Sequence, residues 1–185
     1  KDKKITAEVC VHHLWFTDKD YKIKKSLIKW NPAIKSYEDR EALWSALNDD
    51  RIDVIATDHA PHTKDEKLNK YAECPSGGPL VQHGLVSMIQ HYLNGKITLE
   101  KIVYKMCHNP AILFQIEKRG FIREGYFADL VLLDLNKSFK VNKKNILYKC
   151  GWSPFEGTTF NSSVSHTFLN GVLVYENGII NKKPN

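Results

Sequence analysis

The sequence predicts an α/β protein whose final third turns to β structure. Three observations predict it. A short apolar strand, an amphipathic helix and a second apolar strand follow one another within about 55 residues, the order of a βαβ unit with parallel strands. A long polar segment then leads into a run of helices. Beyond Gly120 the pattern becomes short strands punctuated by Asn-Gly turns.

Each element has its own signal. Residues 5–11 (ITAEVCV) alternate weakly and are bounded by charge, so they read as a buried strand. Residues 22–32 are polar and basic and close on Asn31-Pro32, a loop. Ser36 is placed to cap a helix that carries Glu38 and Asp39 in its first turn. Ala42, Leu43, Ala46 and Leu47 follow at helical spacing, and the helix runs out near residues 48–50. Residues 52–57 (IDVIAT) form the second strand. The segment 58–78 reads as a long loop, a length that points to function when it has no structure of its own. Residues 80–93 carry Val81, Leu85, Met88, Ile89 and Tyr92 on one stripe and stop at Asn94-Gly95. Thr98 caps a helix through Met106, and Asn109-Pro110 opens a short one over 111–116. Then come a strand at 130–133 and a hairpin, 164–169 and 172–175, about Asn170-Gly171. Asn177-Gly178 turns the chain into Ile179-Ile180.

Composition narrows the function classes. The 185 residues are 42% hydrophobic and 26% charged, the balance of an ordinary globular protein. No run approaches the roughly 20 apolar residues of a membrane helix. The net charge of +6 is spread over Lys22, Lys24, Lys25, Lys64, Lys67, Lys70, Lys182 and Lys183, with Asp65 and Glu66 among them. A basic face with interleaved aromatics is missing, which argues against nucleic acid. Cys10, Cys74, Cys107 and Cys150 are widely spaced, so neither a zinc ribbon nor a disulfide scaffold is expected, and reduced cysteines in a cytoplasmic protein are. The Lys-rich start at Lys1 has no Met and no secretory segment, and reads as a cut inside a larger protein.

Four constellations could carry chemistry. Asp58 follows a buried strand directly and stands in Thr57-Asp58-His59-Ala60-Pro61-His62. A carboxylate at a strand end can ligate a metal and carry a proton, and the two histidines add imidazole donors nearby. The same Asp could equally be a turn former. Glu8, His12 and His13 lie at and past the end of the first strand. Asn31 offers a donor and an acceptor suited to a cyclic amide. Pro75-Ser76-Gly77-Gly78-Pro79 lets backbone approach a ligand closely, or simply turns into a helix. None of the four is decisive alone.

Together they resemble the dihydroorotase family of cyclic amidohydrolases. Residues 56–62 (ATDHAPH) match the family's A/S-T-D-x-A-P-H signature, and residues 7–14 (AEVCVHHL) are similar to its E-V-x-P-H-H-L strand. Asn31-Pro32 with Glu38-Asp39-Arg40 resembles its N-P-P-L-R…E-D-R block. Residues 75–80 fall at its substrate-contacting loop. Residues 120–134 (GFIREGYFADLVLLD) resemble the segment where amidohydrolases leave the barrel. Val11, Ala33, Lys35 and Ser76 depart from the usual Pro, Pro, Arg and Phe.

The resemblance implies an α/β fold: the C-terminal part of a (β/α)8 TIM-like barrel, followed by strands of a small β-sandwich. Residues 1–119 would hold the last two barrel strands and 120–185 the β-rich segment. It implies Asp58 as metal ligand and as general base and acid, moving a proton from the attacking nucleophile to the departing ring nitrogen. Asn31, His62, Ser76 and Gly77 would contact substrate, whereas His12 and His13 are not among the ligands it implies. The reaction would be the reversible, zinc-dependent hydrolysis of dihydroorotate to N-carbamoyl-aspartate in pyrimidine biosynthesis, with two Zn2+ ions in a complete site. The H-x-H, bridging carboxylate or carboxylated lysine, and two further histidines would come from upstream, so these residues alone are expected to be inactive. A homodimer and association with aspartate transcarbamoylase are the implied partners. The alternatives are a hydantoinase, dihydropyrimidinase or allantoinase, or an inactive dihydroorotase-like partner of aspartate transcarbamoylase.

Overall fold

The computed structural model describes residues 5–181. The basic pair Lys182 and Lys183, and the Lys-rich start at Lys1, lie outside them. The described chain forms two compact units: residues up to 88 with 140–158, and residues 89–139 with those from 159 on.

The first unit is built on two parallel strands, β1 (Glu8–Cys10) and β2 (Val54–Ala56), paired Glu8↔Val54, Val9↔Ile55 and Cys10↔Ala56. β1 is shorter than its sequence suggests. At Val11 the chain turns into helix α1 (Val11–Trp15), which buries Val11, His12 and Leu14. Helix α2 (Tyr21–Lys24) and a 3-10 turn at Lys25–Ile28 give structure to the segment expected to be loop. Helix α3 (Tyr37–Asn48) starts at the expected cap. Ser36 Oγ accepts from Asp39 N at 3.2 Å, and the Asp39 carboxylate accepts from Ser36 N at 3.1 Å. Its buried face carries Trp44 and Leu47, and Trp44 Nε1 donates to Leu14 O at 3.1 Å. After β2, the long polar segment contains one short helix, α4 (Lys64–Lys67), capped by Thr63 with Glu66. Helix α5 (Val81–Leu93) follows, with Leu80, Val86, Met88 and Ile89 buried.

In the second unit, helices α6 (Leu99–Val103) and α7 (Asn109–Leu113) are joined without a break by a π-turn over Tyr104–His108. The expected second start at Asn109-Pro110 is therefore a continuation. Pro110 lacks the N–H that a regular turn would use, and the wide turn ahead of it closes with Asn109 N donating to Tyr104 O. The β-rich tail forms β3 (Leu130–Asp134), β4 (Phe139–Lys140), β5 (Thr159–Phe160), β6 (Ser163–Leu169), β7 (Val172–Glu176) and β8 (Ile179–Ile180). β3, β6, β7 and β8 make a four-stranded antiparallel sheet in that order. Asn170 and Gly171, both at positive φ, turn β6 into β7 as expected. Arg119 and the Asn170 backbone are both bound by Asp129, which fixes the entry to this sheet.

Candidate active site

Parallel pairing decides where the chemistry-bearing residues meet. Both strands of the first unit end at the same side, so the residues following Cys10 and those following Ala56 converge. From β1 come Cys10, His12 and His13, whose metal-ligating atoms all lie within 4.8 Å of one another. From β2 comes Asp58, exposed and at φ 46°, close enough for its charge to act on both Cys10 and His13. The φ value is one that Asp tolerates better than most residues.

The electrostatics of this cluster follow from burial. His12 is fully buried, and neither ring nitrogen has a partner. It stacks on Trp30 with centroids 4.4 Å apart and lies 4.2 Å from the His13 ring. Burial, then the neighbouring His13, hold its pKa down to about 2, so it is neutral over any working pH. His13 donates Nε2–H to Pro32 O at 2.9 Å, which leaves Nδ1 as its ligating atom. Burial lowers its pKa too, opposed by the Pro32 bond and the Asp58 charge. Burial pushes the Cys10 thiol up to about 12, with Asp58 and Glu8 adding to it.

These groups fit a metal ion. The neutral His12 imidazole has one lone-pair nitrogen, buried without a partner, and a cation would meet that need. The Cys10 sulfur and His13 Nδ1 beside it complete a group of three nitrogen and sulfur donors of the kind that soft divalent ions accept.

A second layer of residues flanks this cluster. His59 Nδ1 accepts from Leu80 N at 3.0 Å and Val81 N at 3.2 Å, so it ties the Asp58 loop to the start of α5 rather than facing a ligand. His62 Nε2 donates to Ser76 O at 3.1 Å. Trp152 Nε1 donates to His62 O at 2.8 Å and fixes that backbone. Gly77 has φ +117°, and a Cβ there would sit 2.7 Å from Ala60 O. Only glycine meets both demands. Gly78 lies against Trp30, where a Cβ would be 2.9 Å from the ring. Asn31 is exposed, directly after Trp30 and before a cis peptide to Pro32, whose carbonyl receives the His13 bond.

All five residues singled out from sequence, Asn31, Asp58, His62, Ser76 and Gly77, thus lie in the first unit. His62, Ser76 and Gly77 are directly interlocked. Asn31 is tied to the histidine cluster through Trp30 and Pro32. The residues that the structure adds to this neighbourhood are Cys10, which joins the His12–His13 pair, and Trp30, which stacks on His12. The signal for the neighbourhood itself was present: two histidines just past the end of one parallel strand and a carboxylate just past the end of the next.

Comparison with known proteins gives the family and the fold. The model of the Amidohydrolase family matches residues 2–174. The chain is 36% identical over 178 residues to the dihydroorotase of Endomicrobium trichonymphae, covering 95% of this chain and 42% of that protein. It is 38% identical over 180 residues to the dihydroorotase of Pyrococcus furiosus, covering 97% and 42%. The chain therefore spans about 42% of the length of these relatives. Among solved structures it superposes on the L-hydantoinase (dihydropyrimidinase) of Arthrobacter aurescens with TM-score 0.88 and 28% identity, over 96% of this chain and 41% of that one. The D-hydantoinase (dihydropyrimidinase) of a Thermus species shares the fold, with TM-score 0.84 and 20% identity over 97% of this chain and 41% of that one. The fold is thus the α/β class read from the sequence, part of an amidohydrolase barrel, and the chain belongs to the Amidohydrolase family.

Proposed function

We propose that this chain supplies the C-terminal share of the active site of a dihydroorotase, which reversibly hydrolyses the cyclic amide of dihydroorotate to N-carbamoyl-aspartate. The observation that carries the reading is that Asp58 stands just past the end of a strand parallel to β1, near enough for its charge to act on Cys10 and His13. In this reading residues 1–119 are the closing part of the barrel and 120–185 the β segment. The whole protein is a cytoplasmic zinc enzyme of pyrimidine biosynthesis, holds two ions, and acts as a homodimer able to associate with aspartate transcarbamoylase.

Asp58 is the residue of this chain that would hold metal in this reading, and Cys10, His12 and His13 are a separate group that could hold an ion. A bound divalent ion supplies hydroxide from water near neutral pH. Asp58 takes the proton of the nucleophile as its oxygen bonds to the ring carbonyl carbon. It then delivers that proton to the ring nitrogen as the carbon–nitrogen bond breaks. Asn31 can pair with both the N–H and the C=O of a cyclic amide. His62 orients the loop through Ser76 and presents its remaining ring edge to substrate. Gly77 lets the backbone approach the ring.

The structural likeness to hydantoinases supports a second reading, a hydantoin or dihydropyrimidine as substrate. Turnover by the full-length protein separates the readings. Hydrolysis of dihydroorotate that needs metal and falls about 10³-fold in Asp58→Ala, the scale of general acid–base catalysis, supports the first. Hydrolysis of hydantoin alone supports the second. Metal-free protein without turnover would mean an inactive partner of aspartate transcarbamoylase.

A further inference from the structure

The loop that presents Ser76 and Gly77 is held by two ammonium groups. Lys67, the last residue of α4, is fully buried. Its Nζ donates to Lys29 O at 3.1 Å and to Pro75 O at 2.9 Å. Lys29 works in the opposite direction, with its Nζ donating to Tyr71 O and Cys74 O, both at 2.6 Å, and lying 5.0 Å from the Tyr71 ring centroid. Lys29 O also receives Gly77 N at 2.9 Å. Four carbonyl oxygens are thus gathered on two cations. Among the described residues no carboxylate pairs with either.

This is an expensive way to hold a loop if holding is all it does. Burying an ammonium without a counter-ion is unfavourable, and an apolar side chain of the same volume would normally pack there with less loss. Burial pulls the Lys67 pKa down to about 8, which leaves the ammonium form dominant at neutral pH. What the arrangement achieves is geometric. Lys29 immediately precedes Trp30, which stacks on His12, and Asn31 follows. Pro75 immediately precedes Ser76, whose carbonyl binds His62. One side chain therefore ties the Asn31 segment to the Ser76–Gly77 loop, and α4 fixes it six residues after Pro61.

We propose that Lys67, assisted by Lys29, is a positioning residue that clamps the loop over 71–77 against the segment over 29–31 and so sets the affinity for substrate rather than the rate of the chemical step. The proposal rests on the dihydroorotase reading for its substrate but not for the clamp. The full-length protein and its Lys67→Met and Lys29→Met variants test it, with hydrogen exchange over 71–77 and steady-state kinetics on dihydroorotate. In Lys67→Met the loop amides should exchange at least about tenfold faster, while Val9 and Ile55 in the strands keep their protection. KM should rise at least about fivefold with kcat within about twofold. Lys29→Met should move both in the same direction. That variant decides the matter if Lys67→Met does not fold, because Lys29 is only half-buried. Unchanged loop exchange overturns the clamp. A fall in kcat at constant KM overturns the affinity role. Wild-type protein that hydrolyses no dihydroorotate sinks the functional reading alone, and loop exchange still decides the clamp.

Discussion

Among single residues, His83 carries the clearest pH signature away from the candidate site. It is buried on α5, with Nδ1 3.1 Å from Ser153 Oγ and 3.3 Å from Tyr148 Oη. Burial lowers its pKa from an ordinary 6.5 to about 4. Between those values the unfolded chain binds a proton that the folded chain refuses, so acid favours unfolding. Its contribution is intact above pH 6.5, is lost progressively toward pH 4, and changes no further below that. Denaturant unfolding of wild type and His83→Gln from pH 7 to 4 should show the steeper loss in wild type, and parallel curves would remove His83 as the cause. His83 was legible in the sequence only as an unremarked helix residue. Nothing local says that Ser153, seventy positions on, closes over it. Asp58 and His62 were legible because the motif around them is contiguous. Trp30 was not, because the His12 ring that it stacks on comes from elsewhere in the chain.

For elements, local chemistry was the most dependable guide. Ser36 and Asp39 cap α3 as their spacing indicates, and Thr63 with Glu66 does the same for α4. Ser36→Ala should cost about 1 kcal/mol, read as a lower denaturation midpoint at unchanged slope. No shift would mean that the packing of Trp44 and Leu47 alone holds the helix end. The sequence pattern was weaker where tertiary packing overrides it. Val11 closes the strand read over residues 5–11, yet it opens α1. There Val11, His12 and Leu14 point into one core, which an extended backbone would split between two faces. The π-turn before α7 is likewise invisible to a 3.6-residue period.

At the level of the whole chain, the parallel pair β1–β2 stands as a two-stranded sheet among the described residues. Each strand therefore has an open edge, and such edges invite pairing. Large apolar side chains are also exposed, among them Ile23 at 83% and Ile122 at 89%. A polypeptide of residues 1–185 produced by itself is expected to self-associate and to bind hydrophobic dyes, with no turnover of dihydroorotate. A dispersed monomer without dye binding would show that these surfaces are tolerated in water. No helix among the described residues is long and apolar enough to cross a membrane.

The sequence by itself determined the α/β order, the helix caps, the Asn-Gly hairpin and the ATDHAPH signature, because each depends on residues a few positions apart. Only the tertiary structure decided that the Asp58 charge acts on Cys10 and His13, that His12 is buried with both nitrogens unpartnered, and that Lys67 joins the Asn31 segment to the Ser76 loop. These depend on a parallel crossover that brings together residues some 40 positions apart. The chain pays the entropy of closing such loops for contacts that no local pattern records.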